Sequence, residues 1–157
     1  MIRLLRVDHR LLHGQVAVSW SQNLDIDAIL IANDDVPMDE LRKTTIKLAK
    51  PQGIKLVIKT IDDAIASIRS GATDSYKLFI VVEKIEDAYQ LAKNCPEINH
   101  INLGGTKRKE GTRSISNTVN VSNPQEQMLK ELIDDDVEVE IRIVPGDKKV
   151  PASKVLK

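Results

Sequence analysis

The sequence predicts a single α/β domain over residues 1–157, built on an open, mostly parallel β-sheet with helices on both faces. Three observations lead to this prediction. Short apolar runs alternate with helical patterns of about ten residues, which is typical of successive strand–helix–strand units. Residues 26–32 and 78–82 are almost continuously apolar, as strands buried on both faces are. The length of 157 residues fits roughly one domain.

The first half of the chain contains four predicted strands and three predicted helices. The strands are expected at residues 2–7, 26–32, 55–59 and 78–82. A short helix over residues 15–22 follows the first strand, and Trp20, four residues after Val16, is expected to face the core. Pro37 is expected in the first turn of a second helix, and Thr60 at the cap of a third.

The second half continues the alternation and ends in a strand of a different kind. Helices are expected at residues 85–94 and 123–134, and strands at residues 98–103, 118–121 and 137–143. The last of these alternates polar and apolar residues, which predicts a half-exposed strand at an edge of the sheet, the candidate for one antiparallel edge strand. Residues 106–113 form the most basic loop, which either contacts a functional site or is simply solvated.

The composition excludes several classes of partner. Lys plus Arg and Asp plus Glu each number 23, so no overall positive field draws the chain to nucleic acid or to an anionic membrane, and any basic site must be local. The single cysteine, Cys95, is expected to be buried and inert, and fits a reducing compartment. Neither a signal peptide nor an apolar run near the roughly 18 residues of a membrane span is visible, so a cytoplasmic protein is expected.

Polar residues follow several predicted strands and are expected to meet at one edge of the sheet. Right-handed crossovers bring the carboxyl ends of parallel strands to the same edge. The polar segments there are residues 8–13, 33–35, 83–84 and 104–105. In such sheets a ligand crevice opens beside the point where the strand order reverses, next to the first strand.

His13 is the candidate functional residue in this edge. It directly precedes a predicted helix start, where Gly14 lets the backbone approach a ligand and the free amides of Gly14 and Gln15 favour a phosphate. Arg10 adds a charged fork that can hold two phosphate oxygens, and Asp8 could orient either Arg10 or the imidazole. A partly neutral imidazole is a competent nucleophile, so these residues predict a phosphohistidine site.

Other interpretations of the same residues remain open at this point. Asp8 could merely cap the turn while Arg10 is solvated and His13 fills space. His9 and His13 have a spacing that two zinc ligands on a helix would have, but Gly14 disfavours a continued helix and no Glu lies between them. No metal is therefore expected, and His100, inside an apolar strand, is expected to be structural.

Gly104 and Gly105 suggest a nucleotide loop, but the spacing does not fit one. No Gly-Lys-Ser/Thr follows at the P-loop interval, and the first turn lacks a Gly-x-Gly-x-x-Gly pattern. No nucleotide or other cofactor is expected. Asn33, Asp34, Gly104 and Gly105 are predicted only as the rim of the His13 site.

The opening stretch resembles a known family. Residues 6–16, followed by Trp20, are similar to the start of the enzyme IIB subunits of the mannose/fructose/sorbose family of the bacterial phosphoenolpyruvate-dependent sugar phosphotransferase system. The resemblance covers nearly the whole chain. Weaker landmarks are Asp34-Asp35, residues 48–53, residues 102–105 and Val144-Pro145. The chain departs from the family at Leu12, where Ile is frequent, and at Thr106-Lys107.

The resemblance implies a phosphohistidine relay. It implies that His13 accepts phosphate from the IIA subunit or domain and passes it to a sugar entering through the membrane subunits IIC and IID. Arg10 would match the family's phosphate-gripping arginine, and Asp8 its acidic neighbour. The protein would then lie at the inner face of the membrane, where it contacts IIC and IID. The resemblance does not decide whether two copies pair, which sugar is carried or which imidazole nitrogen is phosphorylated. A non-catalytic module that binds a phosphorylated metabolite is the alternative.

Overall fold

The computed structural model describes residues 1–157 and contains nine strands and five α-helices. The strands are β1 (Ile2–Asp8), β2 (Ala28–Ala32), β3 (Lys55–Lys59), β4 (Leu78–Val82), β5 (His100–Gly105), β6 (Thr112–Ser114), β7 (Asn120–Ser122), β8 (Glu138–Ile141) and β9 (Val150–Pro151). The helices are α1 (Gly14–Leu24), α2 (Glu40–Leu48), α3 (Ile61–Arg69), α4 (Ile85–Asn94) and α5 (Asn123–Asp134). No helix is both long enough and apolar enough to span a membrane.

The main sheet has seven strands in the order β3-β2-β4-β1-β5-β8-β9. All neighbouring strands are parallel except β9, which runs antiparallel to β8 at the edge. This confirms the predicted fold class. The chain leaves β1 toward the β3 edge but leaves β5 toward the β9 edge, so the strand order reverses between β1 and β5. The predicted crevice position therefore lies at the ends of these two strands.

Each face of the sheet carries its own apolar core. A cluster of 25 buried residues fills the face covered by α3, α4 and α5, and a cluster of 12 fills the face covered by α1 and α2. Alternation along β1 sends Leu5 and Val7 to the larger cluster and Leu4 to the smaller one. Trp20 is buried in the smaller cluster and Cys95 in the larger, as the sequence predicts.

The predicted edge position of residues 137–143 is wrong. The observed strand β8 covers only Glu138–Ile141, pairs parallel with β5 and is shielded by β9, which is the antiparallel edge strand. The apparent alternation misled because Glu140 is fully buried, where it forms an ion pair with Arg142. In the sequence, charged residues that are buried as an ion pair give the same alternating pattern as charged residues on a solvent-exposed face.

Two further elements differ from the predictions. Pro37 lies in a 3-10 turn, Val36–Met38, and α2 begins only at Glu40, where the Asp39 carboxylate accepts a hydrogen bond from the Arg42 amide at 3.0 Å. Residues 118–121 do not supply a strand of the main sheet. Instead β7 pairs antiparallel with β6 in a separate two-stranded sheet that folds the basic loop back on itself.

Candidate functional site

The turn after β1 is held rigidly by its own backbone and by the smaller core. The Asp8 carboxylate accepts a hydrogen bond from the Arg10 amide at 2.9 Å, and the Asp8 carbonyl accepts one from the Leu11 amide at 2.8 Å. Leu11 has a φ of +59° and is buried with Leu12. Two leucines thus anchor a strained turn whose polar residues are left at the sheet edge.

His13 lies where the sequence predicts it, at the N-cap of α1 with extended backbone. Its Nε2 lies 2.9 Å from Oδ2 of Asp8, and its side chain is 22% exposed. Its side chain does not cap the helix, and α1 has no acidic residue in its first turn. Gly14 adopts a φ of +45° with no atom near the position of a Cβ. The first amides of α1 are therefore open to an anion beside the imidazole.

Arg10 lies at the outside of the same turn. Its side chain is 58% exposed, and its Nε is 3.8 Å from Oδ1 of Asp8. An exposed guanidinium held this loosely keeps the freedom to reorient. It can therefore turn toward an anion at this turn without first breaking a strong ion pair.

Arg6 completes the site from below, and it was not singled out from the sequence. Its side chain is 2% exposed, and it donates hydrogen bonds to Oδ2 of Asp8 at 3.0 Å and to Oδ1 of Asn102 at 2.6 Å. Its guanidinium carbon lies 5.5 Å from the centre of the Trp20 ring. The sequence signal is an arginine between the apolar residues Leu5 and Val7, since an arginine is seldom buried without a partner.

Gly104 serves Arg6 rather than the rim of the site. A Cβ at this position would come closer than 3.0 Å to three guanidinium atoms of Arg6, so only glycine leaves room for the buried arginine. Gly105 does border the turn, because its carbonyl accepts a hydrogen bond from the His9 amide at 3.0 Å. The two glycines were predicted together but have different roles: Gly104 leaves room for Arg6, and Gly105 binds the turn through its carbonyl.

The charge of Asp8 is favoured by these neighbours. Burial alone raises the pKa of its carboxyl group, but hydrogen bonds from His13 and the Arg10 amide and the charge of Arg6 outweigh burial, so the pKa lies below its ordinary value. Asp8 is consequently an anion that can hold a proton on the adjacent imidazole nitrogen.

A ladder of buried polar residues continues from Arg6 across β5 and β8. Asn102 donates to Oε2 of Glu140 at 3.3 Å, and Nη2 and Nε of Arg142 donate to Glu140 at 2.8 and 3.1 Å. His100, predicted to be structural, closes the ladder with its Nε2 at 3.1 Å from Glu140. Burial raises the pKa of Glu140, but hydrogen bonds from His100, Arg142 and Asn102 lower it to about 2.

Asn33 and Asp34 also follow a strand at this edge, but their side chains accept hydrogen bonds from backbone amides. Oδ1 of Asn33 accepts hydrogen bonds from the amides of Asp35 and Val36 at 2.9 and 3.0 Å. Oδ1 of Asp34 accepts one from the Ile61 amide at 3.0 Å. Neither residue hydrogen-bonds to His13, so both shape the edge rather than act on the imidazole.

His9 lines a pocket of about 80 Å³ that His13 does not line. The pocket is lined by basic and hydroxyl side chains, including Lys84, Thr106, Lys107 and Lys109. Nδ1 of His9 is buried there without a hydrogen-bond partner. The basic loop thus borders the back of the β1–α1 turn, and the two histidines of the turn have separate surroundings.

Known proteins resemble this chain over almost its whole length. Residues 2–157 match the family of sorbose-subfamily IIB components of the phosphotransferase system. The sorbose-specific EIIB component of Lacticaseibacillus casei is 33% identical, over 99% of this chain and 93% of its own. A probable phosphotransferase enzyme IIB component of Streptococcus pyogenes serotype M6 is 32% identical over 99% of both chains.

A solved structure shares the whole fold. The IIBSor domain of the sorbose permease from Klebsiella pneumoniae superposes with a TM-score of 0.92 at 28% identity, over 98% of this chain and 94% of that one. Together with the family match over residues 2–157, these similarities identify the role of the domain. The chain belongs to the IIB components of the sorbose/mannose family of the sugar phosphotransferase system and is a phosphotransfer component for sugar uptake.

Proposed function

We propose that His13 is the phosphoryl carrier of this IIB component, accepting phosphate from a IIA subunit or domain and giving it to a hexose-type sugar that enters through IIC and IID. One observation carries the proposal. The His13 imidazole combines a charged Asp8 at 2.9 Å with an unblocked helix start beside it. No observation favours a non-catalytic regulatory module.

We also propose that Nδ1 of His13 is the nitrogen that carries the phosphate. Because Nε2 faces the Asp8 carboxylate, it holds the proton, and the lone pair of the neutral ring is left on Nδ1. Phosphorylation then breaks the phosphorus–nitrogen bond on the IIA histidine as a bond to Nδ1 of His13 forms. In the second step the bond to Nδ1 breaks as phosphorus bonds to a sugar hydroxyl oxygen, and the hydroxyl proton is released to water.

Charge on the transferring group is stabilised by Arg10 and by the amides of Gly14 and Gln15. Phosphoryl transfer depends on positioning and on neutralising the equatorial oxygens. Arg10 is exposed and loosely paired, which suits a group that must also release its phosphate, because tight uniform binding of the intermediate would slow the second transfer.

The partner classes follow from the family, and their arrangement belongs to the proposal. IIB components function with IIA and with the membrane subunits IIC and IID. We place this chain in the cytoplasm, at the inner face of the membrane when it meets IIC and IID. Pairing of two copies stays a prediction.

A phosphorylation assay tests the relay. The protein is incubated with phosphoenolpyruvate, enzyme I, HPr and the cognate IIA, and acid-labile phosphate on the chain is measured. Wild type and His9→Ala are expected to be labelled, whereas His13→Ala is not. Equal labelling of His13→Ala would overturn the assignment, and nuclear magnetic resonance of the labelled ring is expected to show phosphorus on Nδ1.

The sugar is tested in cells. A strain lacking this chain is grown on mannose, fructose, sorbose and N-acetylated hexosamines, with uptake of each labelled sugar as the measurement. Loss of uptake of one sugar, restored by wild type and not by His13→Ala, identifies the substrate. Unchanged uptake of every sugar would contradict a role in hexose transport.

A further inference from the structure

The outer face of α2 exposes an unusual amount of apolar surface. The three most exposed large apolar side chains of the molecule all lie within eleven residues: Met38 at 87%, Leu48 at 83% and Leu41 at 79%. Leu41 and Leu48 are seven residues apart and share one face of α2, opposite Ile46, which is buried against the sheet. The helix is thus anchored on one side and apolar on the other.

A row of lysines lies beside α2, on the side that faces the edge strand of the sheet. Lys43, Lys47, Lys50 and Lys55 line a groove between α2 and the edge strand β3. Lys43 has an ion pair with Glu40 at 3.4 Å, whereas Lys47, Lys50 and Lys55 have no carboxylate partner. Residues 38–59 contain six Lys or Arg and only two Asp or Glu, although the whole chain is neutral.

Exposed apolar side chains together with lysines favour one kind of binding partner, an anionic lipid surface. Exposed leucines near lysines that have no carboxylate partner are the composition of helices that lie in the headgroup region of a membrane. Lysine is depleted from the cores of protein–protein interfaces, which disfavours a protein partner. A second copy of this chain would bring two identical positive patches together, which is repulsive.

We propose that the outer face of α2, with Met38, Leu41, Leu48 and the lysine row, docks directly on an anionic lipid bilayer. The apolar side chains enter the headgroup boundary and the lysines contact lipid phosphates. The docking face belongs to α2 and β3, whereas His13 belongs to the β1–α1 turn. The inference does not depend on the His13 relay.

Vesicle co-sedimentation tests the inference. Full-length protein is mixed with vesicles of phosphatidylglycerol and phosphatidylcholine, or of phosphatidylcholine alone, at low salt. Binding is expected only to the anionic vesicles and is expected to weaken as salt is raised. Since one lysine near an anionic surface contributes about fivefold in binding, Lys47→Glu/Lys50→Glu is expected to lose more than tenfold. Leu48→Ser is expected to lose several-fold at unchanged charge.

A charge-matched control separates the α2 face from net charge. Lys148→Glu/Lys154→Glu changes two exposed lysines near β9, at the opposite edge of the sheet, and is expected to bind within about twofold of wild type. Equal losses in both double variants, equal binding to neutral vesicles, or binding only to vesicles that contain IIC and IID would each overturn direct lipid docking. His13→Ala is expected to bind vesicles like wild type, so failure of the relay and failure of docking are distinguishable.

Discussion

Asp8 contacts Arg6, Arg10 and His13, and so joins the parts of the candidate site. One of its oxygens faces both the buried Arg6 guanidinium and Nε2 of His13, and the other accepts the Arg10 amide. A single carboxylate therefore fixes the turn, neutralises a buried cation and orients the imidazole. Replacing its charge is expected to affect chemistry more than replacing any other side chain except His13.

Asp8→Asn is expected to slow phosphoryl transfer to the chain by about 10- to 100-fold, the usual cost of losing a partner that orients a histidine. The amide keeps the shape of the side chain but no longer favours a proton on Nε2. Single-turnover transfer from phosphorylated IIA is the measurement. A rate within twofold of wild type would refute the orienting role.

The paired glycines allow a matched comparison. Gly104→Ala is expected to displace Arg6, to lower the free energy of unfolding by about 3 kcal/mol and to slow phosphorylation, because a buried ion pair is broken. At Gly105 the nearest side-chain atom to an added Cβ is 3.5 Å away, so Gly105→Ala is expected to cost less than about 1 kcal/mol. Denaturant unfolding measures both, and equal costs would contradict the packing argument.

At this scale the sequence could predict only what is local. Asp8, Arg10 and His13 lie within six residues of one another, and their types and spacing already indicate an anion site. The role of Arg6 depends on its hydrogen bond with Asn102, which is 96 residues away in the sequence. No spacing rule joins such a pair, so Arg6 had to be found in the fold.

At the scale of elements, three neighbouring strands share one polar face. Alternate residues of β1, β5 and the end of β8 point to the α1 side, where Arg6, Asn102, Glu140 and Arg142 bond in succession. Trp20 of α1 covers this ladder, with the Arg6 and Arg142 guanidinium carbons 5.5 and 5.1 Å from its ring centre. The site is thus supported by hydrogen-bonded side chains where most sheets have only apolar ones.

Glu140 makes this face sensitive to acid. Its pKa is about 2 in the folded protein against an ordinary 4.5, so its stabilising contribution is complete above pH 4.5 and is lost as the pH falls toward 2. The shift corresponds to about 3 kcal/mol. Glu140→Gln is therefore expected to be less stable than wild type at pH 7, with a smaller further loss between pH 5 and pH 3.

Urea unfolding at several pH values measures this difference. The control is Glu138→Gln, since Glu138 is half exposed and its ion pair with Lys149 lies at the surface. That variant is expected to follow the wild-type pH dependence. A Glu140→Gln variant with the same acid sensitivity as wild type would contradict the assignment.

Elements were predictable where burial and periodicity agree. Strands β2 and β4 are apolar throughout, and α3 begins at the predicted cap, where the Thr60 hydroxyl accepts a hydrogen bond from the Asp63 amide at 3.1 Å. Helix α5 begins at the predicted residue 123, and the Ser122 hydroxyl accepts a hydrogen bond from the Gln125 amide at 3.3 Å. Predictions failed where tertiary contacts override the pattern. The burial of Glu140 hid the interior position of β8, and residues 118–121 pair with the folded-back loop instead of the main sheet.

At the scale of the whole molecule, one sheet separates two cores that must form together. The central strands contribute alternate side chains to both, as Leu4 and Leu5 do from β1. The reversal of strand order between β1 and β5 then opens the edge at which His13 stands. The site's position was predictable from topology alone, whereas the polar ladder beneath it was not, because topology does not fix which side chains are buried as ions.

Each core contains one residue whose exposure can be measured separately, so it can be tested whether the two cores unfold together. Trp20 is the single tryptophan and lies in the smaller core, and Cys95 is the single cysteine and lies in the larger one. Because the same strands pack into both cores, Trp20 fluorescence and thiol labelling of Cys95 are expected to report the same unfolding midpoint in urea. Leu129→Ala, in the larger core, is expected to lower the free energy of unfolding by about 2–5 kcal/mol as reported by either probe. A Leu129→Ala variant in which Cys95 reacts at lower urea while Trp20 keeps its wild-type midpoint would mean that the two faces of the sheet unfold independently.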